Sequence, residues 1–327
     1  MTKKRIIAFD VMQDEIEYFE KYKENYSNFD ISIIREPLSK KNVEKCKGYD
    51  GVIFIGGCQV TKDVLLKLKE FGIKYISSRS IGYDNVDLEA AKKLGIKVSN
   101  ARYSPFSVAE FALMSGMLLL RNIPQSVRNT SEYNFSLKGL LGREMRSLTI
   151  GIIGTGKIGR IVADYYSYLG AKVICYDLYP SSEKLNYVSL DEVFEKSDLL
   201  SLHTPLTKET RHMINNESIK KMKDGVLLVN TARGDLIENK ALVENLLSGK
   251  IGGAVLDTLE NEKGIFFKDC REKGFDNPYL KELLKMKNVF ITSHHAFYTT
   301  QAVSDMVESA LECQKEFFET GESENQL

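Results

Sequence analysis

No Cys-x-x-Cys pair occurs in this chain of 327 residues, and its five cysteines, at 46, 58, 175, 270 and 313, are scattered and odd in number. That pattern excludes a disulfide framework and fits reduced thiols in a cytoplasm. Histidine is scarcer still, with four, and no His-x-x-x-His spacing brings them together, so no metal site is expected. Net charge is absent. The 45 Lys and Arg balance 45 Asp and Glu, which removes the basic field that nucleic-acid binding draws on. Nor is there an apolar run of membrane-spanning length. The most apolar stretch, 111–120, is about half the roughly 20 residues a span needs; Glu110 and Arg121 bracket it, so it reads as a buried helix. Lys3, Lys4 and Arg5 open the chain as they would a signal peptide, but the apolar run that follows stops at Asp10, which predicts a first strand instead. Internal repeats and low-complexity tracts are also missing.

What is present is ordinary globular material. Hydrophobic residues make up 43% and aromatics 10%, too much apolar side chain for a disordered chain. At roughly 150 residues per domain the length predicts two lobes, each large enough for its own core. Short β-rich runs alternate with amphipathic stretches, the pattern of βαβ units around a parallel sheet, so both lobes are expected to be α/β. In the first, strands are predicted at 5–9, 31–35, 51–55 and 75–78, and helices at 14–26 and 64–71, the latter closed by Gly72. Ser104-Pro105 precedes an apolar helix at 108–121, and the first domain crossing is placed before it. A polar stretch, 126–146, leads into further strands at 149–153, 172–176, 199–202, 226–230, 253–256 and 289–292. The tail, 301–319, is amphipathic and helical, and its place after the last strand predicts a return to the first lobe.

Gly154-Thr155-Gly156-Lys157-Ile158-Gly159 follows the strand at 149–153 directly and opens an amphipathic helix. Each glycine has a physical task in a dinucleotide site: Gly154 permits the tight turn, Gly156 lets the backbone approach a pyrophosphate, and Gly159 lets the helix pack on the sheet. The helix N-terminus then offers unpaired N–H groups to the anion. The next strand ends in Tyr176-Asp177, a carboxylate placed eighteen residues past the last glycine. There it accepts hydrogen bonds from ribose hydroxyls and repels a 2′-phosphate, which points to NAD over NADP.

Three further strand ends carry charge. Arg233 follows the strand at 226–230, at the carboxyl end where open α/β sheets bind ligands, and its guanidinium suits a carboxylate. Asp257 ends another strand and is followed by Thr258-Leu259-Glu260-Asn261-Glu262. The last strand runs into Ser293-His294-His295, and a histidine beside a carboxylate is the usual proton shuttle. Either histidine could serve, and register favours His294. His203, before Thr204-Pro205, is expected to shape backbone, His212 to be structural or superficial, and Glu260 to be solvated.

Gly154 to Gly159 with Asp177, the run Asn230-Thr231-Ala232-Arg233-Gly234, the block from Leu256 to Glu262 and the stretch His294-His295-Ala296-Phe297-Tyr298-Thr299 resemble the D-isomer-specific 2-hydroxyacid dehydrogenases. Arg79-Ser80-Ile81-Gly82-Tyr83-Asp84-Asn85 and Tyr103-Ser104-Pro105 look like the family's substrate-loop and crossover segments. The similarity is greatest to the D-lactate and D-2-hydroxyisocaproate dehydrogenase branch. It implies two doubly wound parallel-sheet domains: a flavodoxin-like substrate domain from 1–102 plus 299–327, and a Rossmann NAD-binding domain at 103–298. It also implies NAD as cofactor, a homodimer to which the helix at 108–121 contributes, and a catalytic set of Arg233, Glu262 and His294. His294 would protonate the carbonyl oxygen of a 2-keto acid, pyruvate or a related small one, with larger branched or aromatic acids as the alternative. Glu262 would orient the imidazole and favour its charged form. Arg233 would bind the substrate carboxylate, with the N–H groups of Ile81 and Gly82 on its other side and Tyr103 and Phe297 as pocket wall. The cofactor would meet Lys157, Ile158, Thr204, Pro205, Thr210, Thr231, Ala232 and Asp257 besides the glycines. The chain departs from the family in reading Ser293-His294 for Pro-His, Leu259 for an aromatic, and Asn100-Ala101-Arg102-Tyr103 for a longer crossover. Because the same fold hosts corepressors that sense NAD, a binding protein of that kind is the rival reading.

Overall fold

The computed structural model describes residues 3–180 and 182–327. Its contacts divide the chain into two units, Met1–Ser104 with Tyr298–Leu327 and Pro105–Phe297. The crossings therefore fall at Ser104/Pro105 and Phe297/Tyr298, within two residues of the boundaries that the resemblance implies. Pro105 is where the backbone turns into the helix Phe106–Leu120, so that helix and its leading proline stay together.

The first unit holds a five-stranded sheet of β1 (Lys4–Ala8), β2 (Phe29–Ile33), β3 (Gly51–Phe54), β4 (Tyr75–Ser78) and β5 (Lys97–Ser99). Their order is β2-β1-β3-β4-β5 and every pairing is parallel, the flavodoxin-like arrangement. Both faces are covered, so adjacent residues of one strand bury into different cores. Ile7 and Phe9 pack with Val64, Leu65 and Leu68 of the helix Lys62–Glu70, while Ile6 and Ala8 pack with Phe19, Val307, Ala310 and Leu311. Each fully buried isoleucine contributes roughly 1.5–3 kcal/mol. The C-terminal helix Thr300–Thr320 begins at an N-cap, Thr299, whose side chain accepts from Ala302 N, and ends at Gly321 with φ 80°. It is fixed by a buried polar contact as well as by apolar ones. Gln314 donates to Val52 O at 3.3 Å and to Ser77 Oγ at 2.9 Å, in space a side chain at Gly51 would occupy.

The second unit holds β6 (Thr149–Ile153), β7 (Lys172–Tyr176), β8 (Leu199–Leu202), β9 (Val226–Asn230), β10 (Ile251–Leu256) and β11 (Val289–Ile291). The order is β11-β10-β9-β8-β6-β7, again all parallel. A single parallel bridge between Cys175 and Tyr187 is what this sheet has in place of the outer strand of a full Rossmann order. The order in which strands are added reverses between β6 and β8, so the crevice at their carboxyl ends is the topological switch point where ligands of such sheets bind. No single helix among the described residues is long and apolar enough to cross a membrane.

Among the elements that no sequence expectation covers are the helix Leu88–Leu94, the short β5, and the helix Ile123–Ser131, which overlaps the stretch read as polar. The last has no buried residue, and its apolar positions Ile123 and Val127 are exposed.

Candidate active site

The turn after β6 is built by its glycines. Gly154 has φ +91°, and a Cβ there would lie 2.6 Å from His203 C and Thr204 N, so this position admits no side chain. A Cβ at Gly159 would lie 1.9 Å from Gly154 O, which seats the helix Lys157–Tyr168 directly on the turn. Gly156 differs: nothing lies within 4 Å of its would-be Cβ. That open side adjoins the helix N-terminus, with Lys157 and Ile158 in its first turn. Asp177 follows β7 and is held by Thr155, whose N–H and Oγ1 donate to Oδ2 at 2.6 and 3.0 Å, while Tyr179 N donates to Oδ1 at 2.9 Å. Thr204 and Pro205 follow β8, and Thr210 braces the same loop by donating to Pro205 O at 2.7 Å and accepting from Thr207 N.

After β9, the buried Asn230 pins the next turn, its Nδ2 donating to Arg233 O at 2.8 Å and its Oδ1 accepting from Ala232 N. Thr231, beside it, is nearly buried, and its Oγ1 has no protein partner. Arg233 leaves this turn half-buried.

Glu262 and His294, 32 residues apart in sequence, meet through a 2.6 Å hydrogen bond between Oε1 and Nδ1. A carboxylate accepts only, so Nδ1 carries the proton of this bond and Nε2 is the ring nitrogen it leaves over. Both side chains are partly exposed, at 28% for His294 and 20% for Glu262, which leaves the pair accessible to a ligand. Neither is loose. Glu262 Oε2 accepts from Leu259 N at 2.7 Å, closing its own turn. His294 has φ +57° within a segment tied down on both sides by Asp257. Thr292 Oγ1 and His295 N donate to Asp257 Oδ1 at 2.6 and 2.9 Å, and Ala296 N donates to Oδ2 at 2.9 Å. His295 points elsewhere, its ring edge-on to Phe111 at 5.1 Å between centroids and its Nδ1 4.0 Å from Asp257.

Asp257 is fully buried, and three donors of the 292–296 segment converge on it. One expectation is corrected here. Glu260, expected to be solvated, accepts from His212 Nε2 at 2.7 Å and from Asn239 N at 3.1 Å, fastening the loop that carries Glu262. Asp235 joins these two, its ligand atoms lying with theirs within 4.8 Å, but it is paired with Arg211. Burial pushes His203 down to about 3, so it is neutral at physiological pH, and Ser201 Oγ lies 2.8 Å from its Nε2.

In the first unit, Ile81 and Gly82 follow β4. Their carbonyls accept from Asn100 Nδ2 and Ser80 Oγ, and among the described residues their N–H groups have no acceptor. Arg79, just before them, is completely buried against Glu15, with Nε 2.7 Å from Oε1.

The family model for the D-isomer specific 2-hydroxyacid dehydrogenase NAD binding domain matches residues 113–296. The chain belongs to the D-isomer-specific 2-hydroxyacid dehydrogenases. An aromatic 2-oxoacid reductase of Clostridium sporogenes is 42% identical to it, over 98% of both chains. A D-lactate dehydrogenase of Lactiplantibacillus plantarum is 38% identical over 99% of each. Among solved structures, D-2-hydroxyisocaproate dehydrogenase matches with a TM-score of 0.88 at 35% identity, covering 99% of each chain. NAD is the cofactor of this dehydrogenase family, and the second unit's residues fit it: Gly156 leaves a cradle that a Cβ would fill, and the orphaned Thr231 hydroxyl is a buried polar group awaiting a partner.

Beyond those braces, sequence reasoning passed over Phe267, whose ring stands 5.8 Å from that of His294. Phe297, expected as pocket wall, lies 6.4 Å from the same ring. The signal for Phe267 was faint, an aromatic in a loop without period.

Proposed function

We propose that the protein reduces a 2-oxo acid to the D-2-hydroxy acid, with Arg233, Glu262 and His294 carrying the reaction. The observation that supports this most is the 2.6 Å hydrogen bond between Glu262 and His294 at the carboxyl end of the sheet. Glu262 holds the imidazole so that Nε2 presents a proton to the substrate's carbonyl oxygen, and its negative charge stabilises the protonated ring until the proton leaves. Arg233 binds the substrate carboxylate and polarises the neighbouring carbonyl. Bound NADH supplies the hydride that C2 receives. The N–H groups of Ile81 and Gly82, which lack acceptors of their own, are the other donors proposed for the carboxylate, and Asp177 holds the adenosine ribose.

For the substrate's side chain, a bulky apolar group has the most support: two phenylalanine rings flank His294, and the relative at 42% identity is an aromatic 2-oxoacid reductase. Pyruvate is the second reading, favoured by the D-lactate dehydrogenase relative. NADH oxidation with pyruvate, 4-methyl-2-oxopentanoate and phenylpyruvate, run beside NADPH and with chiral analysis of the product, tests both. The expected result is a D-product, NADH preference and the highest kcat/KM for phenylpyruvate. If no 2-oxo acid is reduced and NAD instead changes the oligomeric state, the protein is an NAD-sensing binding protein.

The working form proposed is a cytoplasmic homodimer. The five thiols are unpaired, and Tyr133, Phe135, Leu137 and Leu141 are 75–94% exposed within one short segment, more apolar surface than a monomer ordinarily shows in one place. That segment, beyond the helix Phe106–Leu120 whose inner side is already buried, is the part offered to a second copy. Light scattering on wild type and Leu137→Glu/Leu141→Glu checks it.

A further inference from the structure

We infer that Phe267 selects the substrate's side chain, favouring an aryl or branched group over the methyl of pyruvate. The inference rests on the reading of His294 as the group that meets the substrate carbonyl.

Phe267 is unfavourable twice over if its role is structural. It is a large aromatic with 61% of its surface exposed, and its φ of +63° lies in the left-handed region that bulky L-residues seldom adopt. The chain before it explains the placement. Ile265 N and Phe266 N both donate to Glu262 O, at 3.0 and 3.1 Å, winding a turn on the end of the Glu262 loop. Ile265 and Phe266 pack against the core, and Phe267 is turned out beside the imidazole, its ring tilted 35° to that of His294. Phe297 stands edge-on to the same imidazole at 79°.

With Nδ1 of His294 taken by Glu262, the remaining edge of the ring meets the carbonyl oxygen. The side chain of a 2-oxo acid begins at C3, two bonds from that oxygen, so it leaves the reacting centre within reach of rings centred about six ångströms from the imidazole, inside the usual span of aromatic contacts. A methyl group ends before it reaches them. A benzyl or isobutyl group would cover the exposed face of Phe267 and exclude water from it.

Phe267→Ala decides the matter, because the exposed side chain can be truncated without opening the core. kcat/KM is measured for phenylpyruvate, 4-methyl-2-oxopentanoate and pyruvate with NADH, and binding of phenylpyruvate and pyruvate to the NAD⁺-loaded protein is measured by calorimetry. The expected result is a tenfold or greater loss for phenylpyruvate in both kcat/KM and binding, carried by KM, a smaller loss for 4-methyl-2-oxopentanoate, and a change within twofold for pyruvate. Equal losses for all three acids, or none, overturn the inference and leave the proposed reaction standing. Binding of phenylpyruvate that depends on Phe267 without any turnover would do the reverse. Absence of both turnover and binding in the wild type overturns both.

Discussion

Gly234 lies directly against the backbone of Leu259: a Cβ on Gly234 would sit 2.0 Å from the Leu259 carbonyl carbon and 2.4 Å from Glu260 N. The turn that carries Arg233 and the turn that carries Glu262 are therefore in contact through bare backbone, with no flexible side chain between them to yield. Gly234→Ala must push the two apart. The expected outcome is a loss in kcat/KM of about 10²-fold, since displacements of about 1 Å at a reacting centre cost that much, together with about 1–3 kcal/mol of stability from overpacking. Steady-state kinetics and urea denaturation on the same variant check it; activity within twofold of wild type would show that the two turns are not coupled.

The two adjacent histidines should separate cleanly. His294→Gln removes the imidazole bonded to Glu262, and turnover should fall by about 10²–10⁴-fold, the usual worth of a general acid. His295→Gln leaves that pair in place, and kcat/KM should stay within a few-fold, because its ring rests on Phe111 and makes no close bond to a carboxylate. A larger loss at His295 than at His294 would reverse the proposed roles.

How far such a site is legible in sequence depends on whether the cause is local. The strands at 149–153, 199–202 and 226–230 are readable to the residue because both faces are buried and apolar residues fill most of their positions. The glycine-rich turn is readable because backbone geometry excludes other residues at Gly154 and Gly159. Asp257 and Glu260 are not, since a strand-end carboxylate looks the same whether it meets a ligand, water or a protein donor. The donors that decide it, Thr292 and His212, lie 35 and 48 residues away. Phe267 sits in a loop whose outward turn depends on two hydrogen bonds back to Glu262 O, for which no residue pattern exists.

Arg79 and Glu15 form an ion pair with no exposed side-chain surface, and the guanidinium also donates to Phe9 O and Asp10 O. Glu15 in turn accepts from Met12 N at 2.8 Å. Removing one member strands the other's charge in the core. Arg79→Met or Glu15→Leu alone should each cost about 3–5 kcal/mol, while the double substitution should recover a large part of that loss, as buried pairs replaced together often do. Denaturant titration of the four proteins measures the coupling, and strictly additive losses would argue against a pair acting as a unit.

Asp198 gives the second unit a pH dependence whose sign is fixed by its partners. Burial alone pushes its carboxyl up, but Thr149 N at 2.8 Å, Lys223 Nζ at 3.1 Å and an Arg143 Nη at 2.9 Å outweigh it, and the group ends below the usual carboxylate range. Its pKa is thus lower folded than unfolded, so the ionised form contributes stability that is complete above the unfolded value of about 4 and is lost as pH falls from there through the folded value. Asp198→Asn keeps the size and loses the charge. It should destabilise the protein by about 1–3 kcal/mol at neutral pH, and the gap from wild type should narrow below about pH 4 as protonation neutralises the wild-type carboxylate. Urea titrations of both proteins across that range provide the measurement, and a gap that stays constant with pH would mean that the three donors stabilise Asp198 by shape and not by charge.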